Sequence, residues 1–398
     1  MRQTRIPLIP LILLFVGSSL RGQVVSGLDV LKRSEFAQLR VKRVGLITNQ
    51  TGRSRDGRSS IDILYEAPDL KLAAIFSPEH GVRGTEESDT IENRVDERTQ
   101  VPIYSLYGKT RRPTTKMLQG LDALVFDIQD VGARYYTYIT TMAYCMEEAA
   151  QRGIRFVVLD RPVMINGTIV EGDILPDTVR KFIAYHPVAT RYGMTPGELA
   201  LMYNEEQKIG CNLEVIKMEG WRRTMWYDGT GLRWVNPSPN IRSLEGAILY
   251  SGLRSFESTN LSVGRGTDYP FEYYGAPYLD GEELAARLNS KGIVGVKFSA
   301  VRVTPNAGPF EGQVCSGVKV EITDRNELRT TQVFVKMAIE IKRQSPQWNY
   351  HSERFADMVG SSFLIEALDQ NISAEEILRV FNGKVKRFEA VRAKYLLY

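Results

Sequence analysis

Residues 70–81 read LKLAAIFSPEHG, a short apolar run followed by a proline, an acid, an imidazole and a glycine. The run has the length of a strand and predicts one that is buried on both faces. Pro78 makes the exit from this strand rigid, and Gly81 permits a tight bend. Between them lie Glu79 and His80, which carry the two commonest acid–base groups. The segment predicts a strand with catalytic residues on its following loop, unless Glu79 only caps a turn and His80 only packs.

Similar apolar runs occur on both sides of this segment and alternate with helical patterns. Further strands are predicted at 41–48, 102–106, 123–128 and 156–159, and helices at 61–66 and 136–152. This alternation indicates a parallel sheet with helices on both faces. We therefore predict an α/β protein in which residues 23–279 form a Rossmann-like, doubly wound domain with a mostly parallel sheet.

The pattern changes near residue 280. Two strands are predicted at 296–304 and 317–322, with helices at 281–289, 330–343, 354–368 and 374–395. We predict a second, smaller α+β domain over residues 280–398. The stretch before it, about 200–275, is rich in loop signals and contains three of the four tryptophans, which either stack on sugars or pack in the core.

The first 22 residues are typical of a secretion signal. Arg2 and Arg5 form a basic start, residues 6–16 are almost wholly apolar, and small residues follow at 17–19. The apolar run is too short to cross a bilayer comfortably, so a membrane anchor is the less favoured alternative. We expect an exported protein, periplasmic or released, without a stable membrane span.

Several classes of function are disfavoured by the remaining sequence. The net charge of +4 falls to +1 without the three arginines of the leader, and the absence of a long basic run argues against nucleic acid. No Gly-x-Gly-x-x-Gly follows the first strand, so we predict no nucleotide cofactor. Three scattered histidines and the distant Cys145, Cys211 and Cys315 do not suggest a metal site. Without a Gly-x-Ser-x-Gly motif, acid–base chemistry by carboxylates remains.

Polar residues gather where the predicted parallel strands end. Asn49 follows the first strand, whereas Asp127, Gln129 and Asp130 lie at the end of the strand at 123–128. Ligands of open α/β sheets bind beyond the carboxyl ends of the strands. Together with the loop after residue 76, these residues predict the rim of an active site.

The sequence resembles a known family, the exo-β-N-acetylmuramidases of the NamZ type, and the matching strings span most of the chain. The resemblance is carried by GLITNQTG at 45–52, FSPEHGVRG at 76–84, FDIQDVGARYYTY at 126–138, ING at 165–167, RYGMTPGELA at 191–200, NPSPNI at 236–241 and TNLSVGRGT at 259–267. It implies a glycoside hydrolase that removes N-acetylmuramic acid from the non-reducing ends of peptidoglycan fragments. It also implies a cleft between the two domains, with the family's Glu-His pair at Glu79 and His80.

Glycoside hydrolysis ordinarily uses a protonated acid and a second carboxylate. We assign Glu79 as the general acid and expect His80 to tune it or to orient the substrate. For the second carboxylate, Asp127 is favoured over Asp130 and Glu171 because of its position at a strand end. The two alternatives to a glycosidase are a peptidoglycan-binding protein without activity and, from the sheet topology alone, a nucleotide-dependent oxidoreductase.

Muramic acid carries a lactyl carboxylate, which a guanidinium group recognises well. The candidates for this contact are Arg134, Arg191 and Arg265, although Arg134 could instead pair with Asp130. The complete set of expected substrate-binding residues is Asn49, Gln129, Asp130, Arg134, Tyr135, Asn166, Glu171, Arg191, Asn240, Asn260 and Arg265. We expect no metal or other cofactor.

Overall fold

The computed structural model describes residues 23–40, 42–86, 91–176 and 180–398. The predicted secretion signal, residues 1–22, lies outside the described residues. Within the described ranges, no helix is both long enough and apolar enough to span a membrane. The three cysteines are buried and unpaired.

Twelve strands and eleven α-helices form the described part of the chain. The strands are β1 (Lys42–Thr48), β2 (Leu70–Ser77), β3 (Arg94–Val95), β4 (Pro102–Ser105), β5 (Ala123–Asp127), β6 (Arg155–Leu159), β7 (Glu171–Ile174), β8 (Ala189–Arg191), β9 (Leu213–Ile216), β10 (Tyr273–Ala276), β11 (Val296–Val303) and β12 (Cys315–Ile322). The helices are α1 (Gly27–Arg33), α2 (Ser60–Tyr65), α3 (Thr115–Leu118), α4 (Tyr138–Ala150), α5 (Pro196–Glu206), α6 (Leu244–Leu253), α7 (Gly281–Ser290), α8 (Thr330–Gln344), α9 (Ser352–Val359), α10 (Phe363–Asp369) and α11 (Ala374–Arg392).

Seven strands form the central sheet, in the order β3-β4-β2-β1-β5-β6-β9. All neighbouring pairs are parallel except β3 and β4, which are antiparallel at one edge. Without β3, this is the 3-2-1-4-5-6 order of a doubly wound sheet. The predicted α/β fold with a mostly parallel, Rossmann-like sheet is therefore confirmed.

Alternating side chains of the strands enter two separate cores. In β5, Leu124 and Phe126 belong to the core that contains α4, whereas Val125 belongs to the core that contains α1 and α2. Because helices cover both faces, β5 is buried at every position. This two-sided burial explains why the strand is apolar throughout rather than alternating.

The C-terminal part of the chain contains a three-stranded antiparallel sheet, β10-β12-β11, which contacts α7. Strand β10 precedes the predicted boundary at 279/280 but pairs with β12 in this second sheet. The helix predicted at 354–368 is two helices, α9 and α10, because Gly360 ends α9 with a φ of 126°.

Candidate active site

A cavity of about 410 Å³ lies beyond the carboxyl end of β2, between the central sheet and the C-terminal half of the chain. Glu79 and His80 line it on the side of β2, and the turn at 135–137 before α4 lines it on another. The remaining walls come from Lys181 and its neighbours, from the segment at 238–240, and from the end of α6 and α9. The cavity is therefore built from both halves of the chain.

The charges around the cavity are strongly unequal. Glu79 is the only carboxylate among the described residues that line it, whereas the cations are Arg111, Lys181, Arg254, Arg265 and Arg354. Lys181 forms ion pairs with two acids that do not line the cavity, Asp357 at 2.6 Å and Glu353 at 3.2 Å. Part of the positive charge is therefore neutralised. A cavity of this composition suits a ligand with a negative charge.

Glu79 is held by the turn that leads into α4. The Thr137 hydroxyl donates a hydrogen bond to the Glu79 carboxylate oxygen Oε2. Thr137 directly precedes α4, but its side chain makes no capping bond to that helix, so the hydroxyl serves Glu79 instead. One oxygen of the Glu79 side chain is thereby fixed in place.

The loop after β2 is tight and packs against its surroundings. His80 has a φ of 69°, in the left-handed region, and its Nδ1 lies 2.8 Å from the carbonyl oxygen of Glu86. A Cβ atom at Gly84 would lie 1.9 Å from the side chain of Gln50, so only glycine fits there. Gln50 donates in turn to the carbonyl oxygen of Asn236 at 2.8 Å, which ties the loop to the segment leading into residues 238–240.

Arg254 is the cation that is best placed to bind an anion. Its side chain is only 16% exposed, and its guanidinium carbon lies 5.3 Å from the ring centre of Tyr135 and 5.7 Å from that of Tyr250. Its Nη1 is 2.8 Å from the sulfur of Met358, a weak acceptor, and its Nε forms an ion pair with Glu257 at 3.1 Å. Arg254 therefore retains donor capacity at the cavity although it is largely removed from water.

Glu257 does not line the cavity, but it stabilises this cluster of cations. Its carboxylate lies 3.1 Å from Arg254 Nε, and it accepts a hydrogen bond from Arg265. Burial acts to raise the pKa of Glu257, but Arg254 and Arg265 outweigh this effect and keep it below the usual value. One acid is thus shared between two arginines, so the cluster keeps an excess of positive charge.

Of the residues predicted for the site, Glu79, His80, Tyr135, Asn240 and Arg265 line the cavity. The Tyr135 hydroxyl is already bonded to the carbonyl oxygen of Tyr250 at 2.7 Å, so its ring rather than its hydroxyl is available. Five predicted residues from separate parts of the sequence are therefore brought together.

Asp127 does not reach the cavity. Its side chain is fully buried, and Oδ1 accepts a hydrogen bond from Arg161 Nε at 2.7 Å. Because the loops after β1 and β6 cover this end of β5, Asp127 cannot contact a substrate there. The structure gives no support to the assignment of Asp127 as the second catalytic carboxylate.

The other strand-end residues fasten loops to one another. Asn49 Oδ1 accepts the backbone N–H of Thr51 at 2.9 Å, and Gln129 Nε2 donates to the carbonyl oxygen of Pro162 at 2.7 Å. Asp130 accepts the backbone N–H of Gly132 at 2.7 Å and the Tyr192 hydroxyl. These bonds use one polar atom of each side chain, whereas Asn49 Nδ2, Gln129 Oε1 and Asp130 Oδ1 are buried without a hydrogen-bond partner.

The remaining predicted residues connect distant segments outside the cavity. Glu171 caps α8 by accepting the backbone N–H groups of Thr330 and Thr331 at 3.2 and 3.0 Å, and Arg191 lies 3.4 Å from the same carboxylate. Arg134 donates to the carbonyl oxygen of Met358 at 2.8 Å, Asn166 to that of Thr224 at 3.0 Å, and Asn260 to that of Gln347 at 2.8 Å.

Comparison with known proteins agrees with this architecture. Profiles of the exo-β-N-acetylmuramidase NamZ match residues 44–245 for its N-terminal part and 248–398 for its C-terminal part. The peptidoglycan β-N-acetylmuramidase NamZ of Bacillus subtilis is 42% identical over 381 residues, which are 95% of this chain and 92% of that protein. The chain belongs to the NamZ family.

Two solved structures of DUF1343 family proteins from Bacteroides fragilis have the same fold as this NamZ family member. One superimposes with a TM-score of 0.88 at 38% identity, and the other with 0.79 at 30% identity. Each match covers 94% of this chain and 99% of the other protein. The structural similarity therefore extends over both halves of the chain that form the cavity.

Sequence reasoning missed Arg254, Thr137, Lys181 and Arg354. Thr137 lies inside one of the strings that resemble the NamZ family, but a threonine carries no acid–base signal by itself. Arg254 and Arg354 are far apart in sequence and come together only through the packing of α9 against the turn after α6. No group of three or more potential metal-ligating side chains occurs in the described ranges, and the absence of a cofactor stays a prediction.

Proposed function

We propose that the protein is an exo-acting β-N-acetylmuramidase that releases N-acetylmuramic acid from the non-reducing ends of peptidoglycan fragments. The observation that carries this proposal is a cavity with a single described carboxylate, Glu79, beside His80 and five cations, in a member of the NamZ family. The carboxyl group supplies the proton that glycoside cleavage needs, and the cations suit an acidic sugar.

Glu79 acts as the general acid in this proposal. Glycosidic bonds break when the leaving oxygen receives a proton as an oxocarbenium-like transition state forms. Thr137 holds one Glu79 oxygen, so the other can donate to the glycosidic oxygen without loss of orientation. His80, on the same loop, accepts or relays protons at the cavity wall.

A second group must stabilise or attack the anomeric carbon. Since Asp127 is buried against Arg161, no second carboxylate is available from the described lining residues. Some glycosidases use the substrate's own acetamido group as the nucleophile. We favour this route, which predicts retention of the anomeric configuration, and NMR of the freshly released sugar would measure it. Initial release of the inverted anomer would exclude the route.

The lactyl carboxylate of muramic acid pairs with Arg254 in this proposal, with Arg265 nearby. Arg134 and Arg191, which were also predicted for this role, donate to backbone carbonyl oxygens outside the cavity. Arg254 Nε is paired with Glu257, but Nη1 has only the Met358 sulfur in place of a strong acceptor. A carboxylate from the substrate would give this donor a strong acceptor.

Hydrolysis of a chromogenic N-acetylmuramide tests the function. Wild-type protein should release the chromophore, and Glu79→Gln should lose most of the activity while its melting temperature stays unchanged. Glu92→Gln is the matched control, because Glu92 is exposed and pairs with Lys109 on the surface. Full activity of Glu79→Gln would refute the assignment, and tight fragment binding by wild type without turnover would favour a binding protein instead.

We also propose that the protein is exported, on the evidence of the basic and apolar leader at residues 1–22. Export should remove the leader, so the periplasmic or released protein should begin near residue 23. Mass spectrometry of the mature N-terminus measures this. A cell-associated protein that retains residues 1–22 would contradict it.

A further inference from the structure

The loop that carries His80 is closed by bonds between its two ends. The backbone N–H of Glu86 donates to the carbonyl oxygen of His80 at 3.3 Å, and the carbonyl oxygen of Glu86 lies 2.8 Å from His80 Nδ1. A carbonyl oxygen can only accept, so Nδ1 must carry the proton in this contact. In the neutral ring, Nε2 is then the nitrogen with the lone pair.

An ion pair outside the cavity braces this loop. Arg94 Nη2 lies 2.8 Å from the carboxylate oxygen Oε1 of Glu86. The same oxygen would be 2.4 Å from a Cβ atom at Gly81, so the pair lies directly against the residue that follows His80. Arg94 itself is in β3, whose backbone pairs with β4 of the central sheet. The ion pair therefore connects the loop to the edge strand of the central sheet.

We propose that Arg94 and Glu86 are positioning residues, which hold the loop closed so that the Glu86 carbonyl keeps His80 in the Nδ1–H tautomer. This inference rests on the proposed function, in which His80 exchanges protons at the cavity through Nε2. The charged groups that share the cavity with His80 are Glu79 and the cations Arg111, Lys181, Arg254, Arg265 and Arg354. Arg94 and Glu86 do not line the cavity, so they act on the chemistry only through His80.

The first test is kinetic. Arg94→Ala should lower kcat by about 10-fold, part of the roughly 100-fold or more that a positioned acid–base group supplies, with KM changed less than about twofold. It should also shift the pH profile of kcat, and Arg94→Lys should restore most of the rate. Stability should hardly change, because the pair is partly exposed, with Arg94 42% and Glu86 31% exposed. Wild-type kcat and pH profile in Arg94→Ala would overturn the proposal.

Arg98→Ala is the matched control. Arg98 is an exposed arginine on the same connection between β3 and β4, and it pairs with Asp62 and Glu66 instead of the His80 loop. It should behave as wild type. An equal loss of kcat in Arg98→Ala would show that the effect is unspecific and would also overturn the proposal.

A second test measures the tautomer in the wild-type protein and uses a variant only to assign the signal. Nitrogen NMR of ¹⁵N-histidine-labelled wild-type protein distinguishes the two tautomers, and His80→Ala assigns the signal among the three histidines. The Nδ1–H form is expected for neutral His80, and the Nε2–H form would refute the inference. If Glu79→Gln stayed fully active, the proposed catalytic assignment would fail, while the tautomer measurement would still decide the inference separately.

Discussion

Replacing Arg254 with methionine tests how the cavity distinguishes muramic acid from neutral sugars. The change removes the guanidinium but keeps an unbranched side chain beside Met358. Glu257 should remain paired, because Arg265 still donates to it. The substitution should therefore remove the anion contact without leaving a buried carboxylate alone.

The size of the effect follows from the contact that is lost. A hydrogen bond to a charged group contributes about 1.5–3 kcal/mol, which is about 10- to 160-fold in affinity. Arg254 is mostly buried, so solvent screening should reduce this value little. An exposed cation contributes less, about 0.2–1 kcal/mol. Arg111→Ala, which removes an exposed cation 4.1 Å from the Phe182 ring, should therefore weaken binding by no more than about fivefold.

Competitive inhibition by N-acetylmuramic acid and by its methyl ester measures this contact. Wild type should bind the acid about 10- to 160-fold more tightly than the ester, whereas Arg254→Met should bind the two about equally. The interaction free energy between esterification of the ligand and Arg254→Met in the protein isolates the contribution of the carboxylate contact. If Arg254→Met kept the wild-type preference for the acid, the assignment of the lactyl site to Arg254 would be incorrect.

Three further predictions concern the framework around the cavity. Thr137→Val should lower kcat while Thr137→Ser restores it, because the hydroxyl orients Glu79; equal rates in the three proteins would contradict this. Burial raises the pKa of Asp130 from 3.8 to about 7. The protonated carboxyl group therefore stabilises the folded protein fully below pH 3.8, and this stabilisation is lost as the pH rises through 7. Asp130→Asn should flatten the dependence of the free energy of unfolding on pH in that window, measured by urea titration, and an unchanged slope would refute this. Arg161→Met should cost about 3–5 kcal/mol of stability because Asp127 is left buried without a partner, and the added change Asp127→Leu should recover much of the loss.

The sheet was predictable because its strands are apolar runs of the right length between turn signals. Strand β5 is buried at every position and β2 over most of its length, so each stands out without any periodicity. Helix α6 was missed for a related reason, since it is buried all round and has no polar face to reveal its period. The two-residue β3 was missed because Arg94 and Val95 are exposed and carry no apolar pattern.

The site was only partly predictable, since sequence does not tell which strand end stays open. The end of β2 opens into the cavity, and Glu79 was found there. The ends of β5 and β6 carry equally polar residues, but these are buried and bonded to neighbouring loops. Asp160, for example, accepts hydrogen bonds from Thr195 and Tyr398 at 2.8 and 2.7 Å. Tertiary contacts between distant segments determine which strand end stays open, and local sequence does not contain these contacts.

The point at which a doubly wound sheet usually binds its ligand is closed in this chain. In doubly wound sheets the ligand crevice lies where the strand order reverses, which is between β1 and β5 in this chain. That place is filled: Thr48 Oγ1 donates to the carbonyl oxygen of Asp127 at 2.8 Å, and the backbone N–H of Gln129 donates to Thr51 Oγ1 at 2.9 Å. A Cβ atom at Gly52 would lie only 2.8 Å from the same Asp127 oxygen. With the reversal point closed, the open crevice lies one strand away at β2, where the C-terminal half supplies Arg254 and Arg354. The fold thus keeps the general rule of binding at the carboxyl edge, but the second half of the chain decides which strand end is used.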